Sequence, residues 1–308
     1  MSITNFRTTG AGAGISPGAT SKITFHSLQE KKQAHRPISS LTAYDYATAR
    51  LVDEAGVDLI LVGDSLAMVV MGYETTLPVT VDEMLHHTRA VRRAVKRAIV
   101  AADMPFGSYQ NSVAEGVANA IRFVKEAGAE AVKIEGGAVR CELVERLAGA
   151  EIPVICHLGL TPQAVHRMGG YKVQGKTVAA AEELARDARM LEAAGASVMV
   201  LEGMPREVAA RITSEVRIPT IGIGAGPDCD GQILVFHDLV NLSFSNPPKF
   251  VRQYGDAAAL FRSAIEGYVR DVEERAFPTE VESYHLSMNA APAVNAAPVA
   301  ASAELRKA

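Results

Sequence analysis

The stretch Glu126-Ala-Gly-Ala-Glu-Ala-Val-Lys-Ile-Glu-Gly136 decides how the chain folds. A helical pattern over Val113–Ala127 stops at Gly128, and a short apolar run over Ala131–Gly136 follows almost at once. Glycine takes the left-handed backbone that lets a helix turn directly into a strand. The join is not unique. Glu54-Ala-Gly-Val57 repeats it, and Glu192-Ala-Ala-Gly-Ala196 is a close variant.

Working outward from that unit, short apolar and β-branched runs recur at Ile38–Asp45, Leu59–Asp64, Ile99–Asp103, Ala131–Gly136, Ile152–Leu158, Val198–Glu202, Ile218–Gly224 and Ile233–Asp238. Continuous apolar runs of this length read as strands buried on both faces, as in a parallel sheet. Helical patterns fill the gaps at Ala47–Ala55, Val81–Arg97, Val113–Ala127, Val139–Leu147, Ala179–Ala194 and Arg206–Thr213. Eight strands alternating with helices predict an α/β fold, a closed (β/α)₈ barrel of the TIM type. One join fits poorly. Too few residues separate the seventh and eighth runs for a full crossover helix, so either the last strand is misplaced or that crossover is abbreviated. An open doubly wound sheet is the alternative.

At 308 residues and 48% hydrophobic, the chain can bury one large core. Residues 22–285 are expected to form a single barrel domain. The Gly/Thr/Ser-rich stretch 1–21 and the Ala/Pro/Asn-rich stretch 286–308 are expected to be disordered arms. The net charge of −4, with dispersed Lys and Arg, gives no electrostatic case for nucleic acid. Three cysteines without Cys-x-x-Cys spacing argue against a disulfide framework or a zinc knuckle. No secretory core segment and no apolar run of membrane-spanning length is visible. A cytoplasmic enzyme without membrane or nucleic-acid partners is the expectation.

In such a barrel, polar residues at the C-terminal ends of strands face the active-site mouth. Those ends present Tyr44 and Asp45, Asp64 and Ser65, Asp103, Lys133 and Glu135, His157, and Glu202. Any one of them alone reads equally well as a helix cap or a solvated loop residue. Their succession on consecutive strands is harder to assign to chance. Asp64, Asp103 and Glu135 around one centre would repel unless a cation lay among them. Oxygen-only ligation favours Mg²⁺ or a similar hard ion, with Asp64 and Asp103 as ligands and Glu135 close by or bound through water.

Lys133 and Glu135 share one face of a strand. They are either a structural ion pair or a cation set against the carboxylate of a bound acid. Glu202, at the mouth of the apolar Val198-Met-Val-Leu, suits a general base. His157 suits a donor to an oxyanion or carboxylate, against the plainer reading of a packed histidine. Gly222-Ile-Gly-Ala-Gly lacks dinucleotide-binding spacing. Met168-Gly-Gly-Tyr-Lys-Val-Gln-Gly-Lys reads as a lid or as an inert loop.

Taken in order, Gly63-Asp-Ser-Leu, Thr76-Leu-Pro-Val-Thr, Ala102-Asp-Met-Pro-Phe, Val132-Lys-Ile-Glu-Gly-Gly, His157-Leu-Gly-Leu-Thr-Pro-Gln, Gly169-Gly-Tyr-Lys-Val-Gln-Gly, Gly222-Ile-Gly-Ala-Gly and Asp230-Gly-Gln-Ile-Leu-Val closely resemble the ketopantoate hydroxymethyltransferase family. The resemblance runs from about Thr24 to His285. It implies a barrel of the phosphoenolpyruvate-mutase/isocitrate-lyase type, Mg²⁺ dependence, and a large homo-oligomer, typically a decamer. It also implies transfer of the one-carbon unit of 5,10-methylenetetrahydrofolate to C3 of 3-methyl-2-oxobutanoate, giving 2-dehydropantoate and tetrahydrofolate. By motif, Asp64, Asp103 and Glu135 resemble the family's metal-site acids, Ser65 and Lys133 its oxo-acid contacts, and Glu202 its proton acceptor. Tyr44, His157 and the two metal-site acids Asp64 and Asp103 are further expected substrate contacts. The alternatives are another enolate-forming carbon–carbon lyase of that superfamily and a non-catalytic metabolite-binding barrel. The Lys-Lys-Cys-Gly-His loop usual in such lyases is not found.

Overall fold

The computed structural model describes residues 21–286. The arm at 1–21 and the tail at 286–308 lie outside the described residues, save Ser21 and Leu286. The chain divides into two compact units between Asp256 and Ala257. The first holds eight strands: β1 Ile38–Thr42, β2 Leu59–Val62, β3 Ile99–Asp103, β4 Ala131–Glu135, β5 Val154–Gly159, β6 Val198–Glu202, β7 Thr220–Ile223 and β8 Gly231–Leu234. Every neighbouring pair is parallel, and β8 pairs with β1, so the sheet closes.

Burial on both faces explains the uninterrupted apolar runs. Alternate residues point inward, where Ile38, Leu59, Leu61, Ile99, Ala101, Ala131, Ile155, Val198, Val200, Ile221 and Ile233 form one buried cluster. Their neighbours, such as Ile60, Val100, Val132, Ile134, Cys156 and Met199, face out and join the helices in a second cluster. Helices Tyr46–Glu54, Val81–Ala94, Val113–Ala127, Cys141–Gly149, Val178–Ala193 and Arg206–Glu215 fall close to the expected positions.

Both suspicions about the last crossover hold. No helix lies between β7 and β8, and β8 begins two residues earlier than the run at Ile233–Asp238 suggested. A side chain on Gly231 would place its Cβ 2.4 Å from the Ile38 carbonyl oxygen, so glycine is what lets this strand close against β1. The expected end of the strand is instead a short helix, Phe236–Leu239.

A helix that the strand-and-crossover pattern did not anticipate, Phe25–Gln33, covers the N-terminal end of the barrel. Thr24 and Ser27 cap it reciprocally, and fully buried Leu28 joins the interior cluster. Ion pairs fasten it. Lys31 binds Asp58, which also receives Arg97 at 3.2 Å, and Lys32 reaches Asp230 at 2.8 Å. The second unit contains the helix Ala257–Glu273 and a short turn, Glu280–Glu282, capped by Thr279. Among the described residues no helix is long and apolar enough to cross a membrane.

Burial alone would raise the Asp58 pKa, but the Lys31 and Ser39 hydrogen bonds and the Lys31 charge outweigh it and hold the carboxyl below its usual range. Such a group contributes stability above its unfolded value, about 3.9, and loses it as pH falls through the lower folded value. Asp58→Asn should cost on the order of 3 kcal/mol, near the low end for a broken buried pair because Lys31 and Arg97 stay partly solvated. Urea titrations should show a constant deficit from pH 8 to pH 5 that shrinks below about pH 4. A deficit independent of pH throughout would rule out the charge as its source.

Candidate active site

The inward-facing series that is apolar in the barrel's middle turns polar at the C-terminal ends of the strands. There, Thr42, Asp103, Lys133, Glu135, His157 and Glu202, together with Asp64 and Ser65 from the loop after β2, line a cavity of about 830 Å³. Strand register sets who meets whom. Asp103 lies opposite Lys133, Glu135 opposite His157, and Gly159 opposite Glu202. Gly159 has φ +94°, and a Cβ there would sit 2.1 Å from the Glu202 carbonyl oxygen, so only glycine permits this approach.

Lys133 is the centre of the floor. Its ammonium binds the Asp103 carboxylate and lies 3.4 Å from Glu135 Oε1. Burial works against its charge, but Asp103, Glu135 and Asp64 outweigh this and raise its pKa. The lysine is therefore a fixed cation and not a nucleophile. Each His157 ring nitrogen stands 3.2 Å from a carboxylate, Nδ1 from Glu135 and Nε2 from Glu202. Neither contact is aligned as a hydrogen bond, so both are ionic. Burial and Lys133 oppose its charge, yet the two carboxylates lift the imidazole to about 9, which makes it a cation at neutral pH.

Four carboxylates thus face two cations. Burial opposes ionisation of Glu135, but Lys133 and His157 hold it below the usual range. For Asp64 the relief from Lys133 and Gln163 is too small. Burial and the charges of Asp103 and Glu135 push its pKa well up, and burial with Glu135 also raises Asp103. A buried site with two more carboxyl groups than cations is the environment a divalent cation stabilises. Among the described residues no three His, Cys, Asp or Glu side chains converge into a ready-made metal cage. Asp103 Oδ2 accepts the Asp64 backbone N–H at 3.1 Å, which draws these two acids together, while Glu135 is occupied by its own donors. Two carboxylates with positions left for water and substrate oxygens suit Mg²⁺, which seldom takes an all-protein cage.

Not every expected residue reaches the cavity. Tyr44 is buried behind Ser65, with its hydroxyl 2.8 Å from Ser65 Oγ, so it supports that residue instead of lining the wall. Asp45 caps the helix Tyr46–Glu54 through the Thr48 N–H at 2.9 Å. The glycine-flanked loop does contribute, with Tyr171 and Val173 on the outer wall, and so do Ile223, Gly224 and Gly226. Two residues escaped the strand-end reading, Tyr109 and Gln163. Tyr109 lies on a loop and Gln163 in the short turn Pro162–Ala164, visible in the sequence only as the last letter of the Thr161-Pro-Gln motif.

The family model for ketopantoate hydroxymethyltransferase matches residues 22–280. The chain belongs to this family. A relative from Koribacter versatilis, named 3-methyl-2-oxobutanoate hydroxymethyltransferase, is 63% identical over 270 residues, covering 88% of this chain and 92% of the relative. One of the same name from Geotalea daltonii is 53% identical over 84% of this chain and 97% of its own length. Among solved structures, phosphonopyruvate hydrolase in complex with oxalate and Mg²⁺ matches at TM-score 0.54 and 18% identity, over 84% of this chain and 92% of that one. A 2,3-dimethylmalate lyase of the PEP mutase/isocitrate lyase superfamily also matches at 0.54 and 18%, over 80% and 87%. At such identities these structures bear on the fold, and the barrel is of their type.

If Lys133 is the counter-charge of the floor, Lys133→Met should lower stability by about 3–5 kcal/mol in urea unfolding without divalent ions. An unfolding midpoint equal to the parent's would remove it from that role.

Proposed function

We propose that this chain transfers the one-carbon unit of 5,10-methylenetetrahydrofolate, with water, to C3 of 3-methyl-2-oxobutanoate, giving 2-dehydropantoate and tetrahydrofolate. The observation that carries the reading is the pair Asp64 and Asp103 beside the Lys133 ammonium, with Glu202 facing them across a cavity of about 830 Å³. Names at 63% and 53% identity supply the substrate.

The residues divide the work. Lys133 and Ser65 bind and orient the oxo-acid carboxylate at the floor. Asp64 and Asp103 would hold Mg²⁺, with Glu135 reaching it through water. That ion supplies Lewis acidity to the 2-oxo group, which makes the C3 proton acidic. Glu202 removes this proton. One of its oxygens rests against His157 while the other has no partner among the described residues. The C3 electron pair then forms the bond to the folate-borne carbon as the first of that carbon's two C–N bonds breaks, and water supplies the hydroxyl as the second breaks. The proton taken by Glu202 and the remaining water proton pass to the two nitrogens of the departing tetrahydrofolate. The apolar outer wall, with Leu160, Pro162, Tyr171, Val173 and Phe250, suits the flat ring of the co-substrate and keeps bulk water from the reacting carbon.

A cytoplasmic setting belongs to this proposal. All three cysteines are free thiols, as a reducing compartment would keep them. So does a homo-oligomer, decameric by the family resemblance. Leu260, Phe261, Ile265, Tyr268, Val269 and Val272 fall along one side of the helix Ala257–Glu273, the spacing of a helix that buries a stripe. Sedimentation velocity is expected to show one species near ten chains of 32.7 kDa. A lone monomer peak would overturn the assembly.

NMR of the purified protein with both substrates should show 2-dehydropantoate with Mg²⁺ and none with EDTA. Glu202→Gln should cut turnover by about 10²–10⁴-fold while oxo-acid binding survives. C3 deuterium exchange without product would leave the proton-removing machinery intact and exclude the folate. Folded protein showing neither reaction would leave only a binding barrel.

A further inference from the structure

Gln163 is more completely engaged than any other polar side chain around the cavity. It sits one residue after Pro162, in the single 3-10 turn Pro162–Ala164 that follows β5. A first-turn N–H has no partner within its own helix. Here it donates to Glu135 Oε2 at 3.0 Å. The side chain, 6% exposed, is spoken for at both ends. Its Nε2 donates to Asp64 Oδ2 at 2.9 Å and to the Met104 carbonyl at 3.0 Å. Its Oε1 accepts from the Tyr109 hydroxyl at 2.6 Å and from Gln110 Nε2 at 3.1 Å.

The carboxamide has one possible orientation. A backbone carbonyl only accepts, so the nitrogen must face Met104 and Asp64. Tyr109 enforces the same choice from the other end. Its oxygen accepts the Glu135 N–H at 3.0 Å, so its own proton points to Gln163. The result is a closed loop, from the Glu135 N–H through Tyr109 and Gln163 to Asp64, and back from the Gln163 N–H to the Glu135 carboxylate.

We infer that Gln163, locked by Tyr109, is the positioning residue of the metal site: it pins one oxygen of Asp64 and one of Glu135, leaving the other Asp64 oxygen turned to the cation. This rests on the reading of Asp64 as a metal ligand. Without the clamp, Asp64 would be free to rotate toward Lys133, its nearest cation. Such outer supports of metal-bound carboxylates typically change affinity by 10–100-fold when removed.

The test uses the full chain without substrate. Free Mn²⁺ is measured by electron paramagnetic resonance during titration of the parent, of Gln163→Met, which keeps the length of the side chain, and of Tyr109→Phe. Gln163→Met should weaken Mn²⁺ binding by about 10–100-fold. Tyr109→Phe should weaken it by about fivefold, the worth of the one neutral hydrogen bond it gives to Gln163. The double variant should lose no more than Gln163→Met alone, because Tyr109 acts through Gln163. In turnover, the Mg²⁺ concentration for half-maximal rate should rise while kcat at saturating Mg²⁺ stays within a few-fold of the parent.

A merely structural glutamine would lower thermal stability and kcat and leave the Mn²⁺ affinity unchanged, and that result overturns the inference. If Gln163→Met does not fold, parent-like Mn²⁺ affinity in Tyr109→Phe overturns it equally. A parent that binds no Mn²⁺ defeats the metal reading itself, and the inference with it.

Discussion

A surplus of buried carboxylates, two more than the nearby cations, is the constraint on which the upper half of this barrel is built. Burial and their acidic neighbours push Asp64 and Asp103 up, and Lys133 and His157 are the cations set against the four acids of this cavity. The opposite end of the barrel shows what a balanced arrangement looks like. There Asp58 has Lys31 and Arg97, Asp230 has Lys32, and Glu130 has Lys22. One face satisfies its charges and serves to fasten a helix. The other leaves them open to a ligand. That asymmetry matches the usual division of an α/β barrel into a stabilising face and a catalytic face.

The same constraint accounts for the density of donors around the acids. Glu135 collects Lys133, His157 and the Gln163 N–H, and Asp103 collects Lys133 and the Asp64 N–H. A network of this kind holds side chains in one arrangement when every member is satisfied. Preorganised charge is also what lowers a barrier in a site that excludes water, because nothing has to reorient as the reaction proceeds. The closed sheet and its apolar middle layers supply the rigid base for this network. Tyr171, Val173 and Phe250 complete the outer wall from loops.

Fold and function rest on different similarities. The solved barrels, at 18% identity, share architecture with this chain, and a barrel supports many chemistries. Family membership rests on a match across residues 22–280 and on relatives at 63% and 53% identity. The cavity adds the physical content, with acids, lysine, histidine and an apolar wall disposed around one volume.

Much of this was legible without coordinates. Seven of the eight strands stand close to where apolar runs predicted them, because periodicity is a local property of the chain. The strand-end rule drew attention to Asp64, Asp103, Lys133, Glu135, His157 and Glu202, all of which line the cavity. It misplaced Tyr44, which lies behind Ser65, and it did not separate Asp45, a helix cap, from the acids that line the cavity. It also passed over the helix Phe25–Gln33, whose polar sequence buries only Leu28. Element type, order and the candidate residues follow from the sequence alone, since they depend on spacing along a few neighbouring positions. Which acid faces which cation, how β8 closes on β1 beside Gly231, and the clasp of Tyr109 and Gln163 on Asp64 depend on register and on loops far apart in the chain. Those were decided only by tertiary structure, because hydrogen bonds 26 to 99 residues apart leave no periodic trace in a sequence.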